Sequence, residues 1–162
     1  MKLSLDRFTL RYLSAVLLGR ALLPLHGAVD GGPLAVLVPQ CASAWELSKL
    51  AYWPMLLACA VTGRLGGERK LCRDLPGVVL TPLTLTAADW AVLSFGGKGR
   101  TCLMLWAAFL AAGLAFGPDG TERRRLWTAL TAALAAAYGL LTYFPPRWGL
   151  FLDPAAMGVV LF

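Results

Sequence analysis

The sequence predicts an all-α, polytopic integral membrane protein of about five transmembrane helices, with the N-terminus in the cytoplasm. Of the 162 residues, 58% are hydrophobic and 15% are charged, and the mean hydropathy is +0.65. Soluble domains carry charged residues at about a quarter of their positions. Because a span needs roughly 20 residues, the chain has room for about four to six helices. We therefore expect a single membrane domain over residues 1–162.

Five apolar runs predict the spans, at residues 8–25, 44–62, 75–93, 101–116 and 126–144, and an apolar tail follows at 148–162. The first run contains Arg20, and no clean small-residue cleavage site follows it, so we interpret it as an uncleaved helix. The fourth run is short, which predicts a helix that stands nearly upright or uses flanking residues.

Prolines and small residues indicate how the spans pack. Pro54 and Pro82 lie inside predicted spans, where proline is tolerated if neighbouring groups satisfy the carbonyls that it frees. The fifth span is rich in alanine and contains Gly139, which predicts a close approach of helix backbones. Pro145 and Pro146 end this span.

The positive charges predict the orientation. Lys and Arg at the chain ends and in the connectors fall mainly on alternate sides, and Arg11, at the start of the first run, is counted with the N-terminus. The count is ten on one side against three on the other: Lys2, Arg7, Arg11, Arg64, Arg69, Lys70, Arg73, Arg123, Arg124 and Arg125 against Lys98, Arg100 and Arg147. The positive-inside rule therefore places the N-terminus in the cytoplasm and the C-terminus outside. The net charge of +6 is thus a signal of topology, and we expect no nucleic-acid partner.

The four cysteines include no Cys-x-x-Cys pair. This spacing argues against a disulfide oxidoreductase and against a thiolate metal site. We interpret the cysteines as small apolar residues and leave open a disulfide between Cys41 and Cys102, which both lie near the predicted outer side. No cofactor or metal site is predicted.

The start of the second span has the most unusual composition. Ser43 is a candidate N-cap, and Glu46 completes a capping box at the third helical position. Glu46, Lys49 and Trp53 share one helix face. An ionisable residue in a span is a functional hypothesis by default, but here we favour a structural ion pair of Glu46 with Lys49, with Arg20 as another candidate partner. A ligand-binding or catalytic role is the alternative.

Most other polar residues outside the basic connectors converge on the predicted outer side. His26 is the only histidine, and with Asp30 and Glu46 it is a candidate for metal binding or acid–base chemistry. The more common role of such a histidine is a hydrogen bond at a helix end. The complete candidate cluster comprises His26, Trp45, Glu46, Lys49, Asp89, Arg147 and Asp153.

Two motifs resemble those of an uncharacterised family of small bacterial multi-pass membrane proteins. The first motif, Pro-x-x-x-Ser-x-Trp-Glu-x-x-Lys-Leu, is matched by Pro39, Ser43, Trp45, Glu46, Lys49 and Leu50, with Trp53 and Pro54 following in step. The second, Pro-Pro-x-x-x-x-Phe-x-Asp-Pro, is matched from Pro145 to Pro154. His26 lies where the family carries a histidine at the end of its first span. At three further positions of the first motif the family carries Asn, Glu and His, where this chain has Cys41, Ala42 and Leu47. The resemblance implies a multi-pass protein of the bacterial plasma membrane and implies no established activity.

We expect a non-enzymatic protein that binds a lipid headgroup, a small anion or a membrane partner at its outer face, within the lipid bilayer. Lys49, Arg147 and Trp45 would make the contacts, and Glu46 would orient Lys49. One alternative is a membrane enzyme that acts on lipid or peptide substrates, with Glu46 or His26 as the acid or base. A further alternative is a small transporter, for which proline-broken helices are the hint.

Overall fold

A computed structural model of the chain contains five α-helices and describes residues 2–25, 29, 32–64, 68–95, 99–116 and 120–151. The helices are α1 (Lys2–Leu22), α2 (Ala44–Arg64), α3 (Glu68–Ser94), α4 (Gly99–Phe116) and α5 (Arg124–Tyr143), with short 3₁₀ turns at Leu23–Leu25 and Pro33–Val36. These described ranges contain no β-strand. The prediction of an all-α fold is confirmed, and the five apolar runs fall on the five helices in order.

Three stretches are long and apolar enough to cross a membrane: Phe8–Leu25, Arg73–Ser94 and Arg124–Tyr143. α4 contributes a shorter apolar stretch, Thr101–Phe116. α2 has 21 residues, with Glu46 in its first turn and Pro54 in its interior. Length and composition therefore qualify three of the five helices as candidate membrane spans.

The helices run alternately up and down. α1, α2, α3 and α4 pack on their sequence neighbours, and α5 packs on α3. At one end, Arg11 of α1 forms an ion pair with Asp74 of α3 at 2.8 Å and donates a hydrogen bond to Thr62 of α2 at 2.9 Å. At the other end, Lys49 of α2 donates to Thr142 of α5 at 2.6 Å. We call these the Asp74 end and the Lys49 end of the bundle.

Pro54 is accommodated inside α2 by a side chain of α4. Proline has no N–H, so the carbonyl of Leu50, four residues earlier, loses its helical donor. The indole Nε1–H of Trp106 donates to this carbonyl at 3.0 Å. This contact confirms the prediction that a neighbouring group satisfies the carbonyl freed by Pro54.

Two glycines allow α3 and α4 to cross closely. A Cβ added at Gly77 would lie 2.5 Å from the carbonyl oxygen of Gly113, so no larger residue fits this crossing. Gly139 of α5, in contrast, has no atom within 4 Å of an added Cβ. The prediction of a close backbone approach at Gly139 is therefore wrong, because α5 faces the bundle with the larger side chains of Leu134 and Tyr138, which are buried.

Candidate functional site

The site at the Lys49 end begins with the N-terminus of α2. Ser43 precedes the helix, and its Oγ accepts a hydrogen bond from the backbone N–H of Glu46 at 3.3 Å. The carboxylate of Glu46 accepts the backbone N–H of Gln40 at 2.8 Å. The predicted cap by Ser43 is confirmed. The reciprocal bond of the capping box instead reaches back to Gln40, which holds the chain before α2 against the helix.

Lys49 is completely buried. Its Nζ donates to Glu46 Oε2 at 2.6 Å, to Thr142 Oγ1 at 2.6 Å and to the carbonyl of Ala35 at 3.3 Å. An ammonium group has three donors, so every N–H of Lys49 is used. This group of contacts, which we call the Lys49 clamp, fastens α2 to the Pro33–Val36 turn and to the end of α5.

An aromatic cluster lies beside the Lys49 clamp. The ring of Trp45 lies 4.8 Å from that of Tyr138 and 5.5 Å from that of Phe151, measured between centroids. Tyr138 shares a hydrogen bond of 2.6 Å with the hydroxyl of Ser48, and the backbone N–H of Trp45 donates to the carbonyl of Leu150 at 3.4 Å. The segment after α5 is therefore folded against the start of α2.

One polar atom of this cluster has no partner among the described residues. The indole Nε1 of Trp45 is buried without an acceptor, although the ring itself is well packed. Trp53 lies eight residues after Trp45 on α2 and does have an acceptor, since its Nε1–H donates to the carbonyl of Val36 at 2.9 Å.

Asp89 lies at the same end, on α3, but in different surroundings. It is 2% exposed, its Oδ1 has no hydrogen-bond partner among the described residues, and the thiol of Cys102 is its hydrogen-bonding neighbour. Cys102 packs with Ala42 and Ala44 and is a free thiol, as is Cys41. The thiol of Cys41 instead lies 3.4 Å from the hydroxyl of Ser43.

The structure brings together three of the seven predicted cluster residues: Trp45, Glu46 and Lys49. Asp89 shares their end of the bundle and is held in the separate contact with Cys102. Arg147 is exposed in the segment that follows α5. Arg20, the other candidate partner of Glu46, is exposed on α1, and the carboxylate pairs with Lys49 instead. His26 and Asp153 lie outside the described residues, as does Asp30.

The sequence did not identify three of the residues that contact Lys49 or Glu46. Thr142 lies in the last turn of an apolar helix, and Ala35 and Gln40 contribute only main-chain atoms. Thr142 could have been suspected as a polar residue near the end of a span. Main-chain partners cannot be predicted from residue types, because every residue carries the same backbone groups. The second ion pair, Arg11 with Asp74, was also not predicted, since its members were assigned to basic connectors and span ends.

The geometry limits the chemistry of this site. Glu46 is engaged by an ammonium and an amide, which leaves its carboxylate poorly placed to take a proton from a substrate. No group of three His, Cys, Asp or Glu residues in the described part of the chain is arranged to hold a metal ion. The arrangement is suited to fixing helices relative to one another.

Comparisons with known proteins give no relative. No protein family, no curated protein and no solved structure matches this chain.

Proposed function

We propose that the protein is an integral membrane protein of the bacterial plasma membrane, with five spans and a cytoplasmic N-terminus. The up-and-down packing of five helices supports five crossings. Exposed leucines on α1, such as Leu10, Leu13 and Leu17, are suited to contact lipid. The Lys and Arg asymmetry between the connectors supports the orientation. The bacterial assignment and membership of the uncharacterised family rest on the two sequence motifs.

Cysteine labelling tests the orientation. In a variant whose four cysteines are replaced by serine, we would introduce Trp148→Cys or Thr121→Cys and treat intact spheroplasts with a membrane-impermeant maleimide. The Trp148→Cys protein should react at once, and the Thr121→Cys protein should react only after permeabilisation. The reverse pattern would show that the N-terminus lies outside, and labelling of both from outside would exclude an odd number of crossings between them.

We further propose a non-enzymatic role, the binding of a lipid headgroup phosphate at the Lys49 end. The observation that carries this proposal is the exposure of Arg147 among aromatic side chains. Phe144 and Trp148 are each 73% exposed, and Trp90 is half exposed. Gly149 lies close to the indole of Trp90, so the segment bearing Arg147 lies against α3 as well as α2. Exposed aromatic rings are enriched at the membrane–water interface, where headgroups lie.

The contacts of the Lys49 clamp change the roles expected from the sequence. The three N–H groups of Lys49 are engaged by Glu46, Thr142 and Ala35, so we do not assign the ligand contact to Lys49. Trp45 is covered by Phe151 and supports the segment after α5. Glu46 and Lys49 are therefore positioning residues, and Arg147 with Trp148 makes the contact. No observation on the described residues favours an enzyme or a transporter.

Native mass spectrometry of the detergent-purified protein tests the headgroup proposal. We would compare the wild type with Arg147→Ala and with Arg20→Ala, which removes an exposed cation from the same end. The wild type and Arg20→Ala should retain one more bound phospholipid per protein than Arg147→Ala. The mass of the retained species distinguishes a lipid from a free anion or a protein partner. If folded Arg147→Ala retains as many phospholipids as the wild type, the proposal is wrong.

A further inference from the structure

Arginines from two helices meet at the Asp74 end of the bundle. Arg73 lies near the start of α3, and Arg123, Arg124 and Arg125 lie at the start of α5; all four side chains are exposed. The backbone N–H of Gly120 donates to the carbonyl of Arg73 at 3.4 Å, and α5 packs on α3. This contact draws the two groups, which are distant in sequence, into one surface. We call these four arginines the basic patch.

Among the described side chains at the Asp74 end, two are carboxylates. Asp74, the acidic neighbour of Arg73, is already paired with Arg11 at 2.8 Å. Glu122 is exposed and is the other carboxylate among the side chains described at this end. The basic patch and Arg11 outnumber these two carboxylates, so the described side chains of this end carry an excess of positive charge that attracts an anion.

The local structure of α5 favours an anion at the same place. The positive end of the helix dipole lies at the N-terminus, where cations are unfavourable. α5 begins with arginines, has no acidic residue in its first turn, and is not capped by the side chain of Arg123. A bound anion would offset the repulsion between these charges.

An apolar stripe continues from the basic patch along α5. Leu126 and Leu130 follow Arg123 at i+3 and i+7, on one face of the helix. Both are exposed, at 46% and 38%. A ligand with a phosphate at Arg123 would therefore have hydrocarbon-binding surface directly beneath it, which a free phosphate would leave unused. This pairing of charge and apolar surface selects a phospholipid.

We infer that the basic patch binds an anionic phospholipid, whose phosphate lies between Arg73 and Arg123 and whose acyl chain lies along Leu126 and Leu130. The inference rests on the membrane location proposed above, and it is independent of Arg147. It adds a second lipid site, at the opposite end of the bundle from the proposed headgroup contact. In the proposed orientation this second site faces the inner leaflet, where basic juxtamembrane residues attract anionic lipids.

The test is a lipid titration followed by native mass spectrometry. The full-length protein in detergent would be titrated with phosphatidylglycerol or phosphatidylcholine of identical acyl chains, and separately with glycerol phosphate. The variants are Arg73→Gln/Arg123→Gln, the charge-preserving Arg73→Lys/Arg123→Lys, and Arg20→Gln as a control that removes an exposed cation at the other end. Circular dichroism and gel filtration would establish that each variant is folded.

The wild type should prefer phosphatidylglycerol. The double glutamine variant should lower its affinity for this lipid about 30-fold, the effect of two cations near an anionic surface. The double lysine variant and Arg20→Gln should keep most of it. An unchanged affinity in the folded glutamine variant would overturn the inference, and so would equally tight binding of glycerol phosphate, which lacks acyl chains. Because the glutamine variant keeps Arg147, it should retain the lipid that Arg147→Ala loses, so the two sites fail separately.

Discussion

Replacing Lys49 by methionine removes the ammonium group and keeps a side chain of similar length. The structure sets the size of the effect. The side chain of Glu46 is 8% exposed and lies 2.6 Å from Lys49 Nζ, so the variant leaves a buried carboxylate with the amide of Gln40 as its described partner. Breaking a buried ion pair by removing one member costs about 3–5 kcal/mol. Thr142 also loses its donor.

The assay is thermal unfolding of the detergent-purified protein, followed by circular dichroism. For a chain of this size, 1 kcal/mol corresponds to about 2–4 °C, so Lys49→Met should lower Tm by about 6–20 °C. The double variant Glu46→Gln/Lys49→Met carries no charge at the Lys49 clamp and should recover to within about 2 kcal/mol of the wild type. Arg20→Met, at an exposed position, should stay within about 0.5 kcal/mol.

Two outcomes would refute this reasoning. The first is a Lys49→Met protein as stable as the wild type, because a buried unpaired carboxylate would then carry no cost. The second is a double variant as unstable as Lys49→Met, which would locate the loss in the packing of the lysine stem and not in the charge pair.

Two further predictions concern helix packing and are measured in the same unfolding assay. Trp106→Phe should lower the free energy of unfolding by about 1–2 kcal/mol, because it leaves the carbonyl of Leu50 unpaired. The loss should be smaller in a Pro54→Ala background, where the alanine N–H can donate to that carbonyl. Equal losses in both backgrounds would contradict the assigned contact. Gly77→Ala should destabilise the protein by about 1–3 kcal/mol, because the added Cβ meets the backbone of α4 at the crossing. Gly139→Ala should be neutral or stabilise the protein by up to about 1 kcal/mol. Similar losses at both glycines would show that the crossing is not tight.

The sequence predicted the features that depend on residues close together in the chain. Apolar runs long enough for helices gave the five elements in order. The i, i+3 spacing of Glu46 and Lys49 gave the ion pair, and the position of Ser43 just before the apolar run gave the cap. Each of these features is set by helix periodicity or by the unpaired groups of a helix end, and neither requires knowledge of which helices are neighbours.

The remaining contacts depend on which helix faces which. Nothing in the residue types says that Thr142 of α5 meets Lys49 of α2, or that Trp106 of α4 covers the carbonyl beside Pro54. The error at Gly139 has the same origin, because a small residue suits a helix crossing and a lipid-facing surface equally well. Gly77 and Gly113 resemble Gly139 in sequence, and their position opposite one another gives them their role.

The Lys49 clamp also constrains how the protein is made. Lys49 and Thr142 are separated by 93 positions, and ribosomes add about 5–20 residues each second. For roughly 5–20 s after α2 emerges, its ammonium therefore waits for the acceptor on α5. During biogenesis Glu46 and the carbonyl of Ala35 must shield this charge without Thr142, so α2 is expected to enter the bilayer fully and become locked only when α5 arrives.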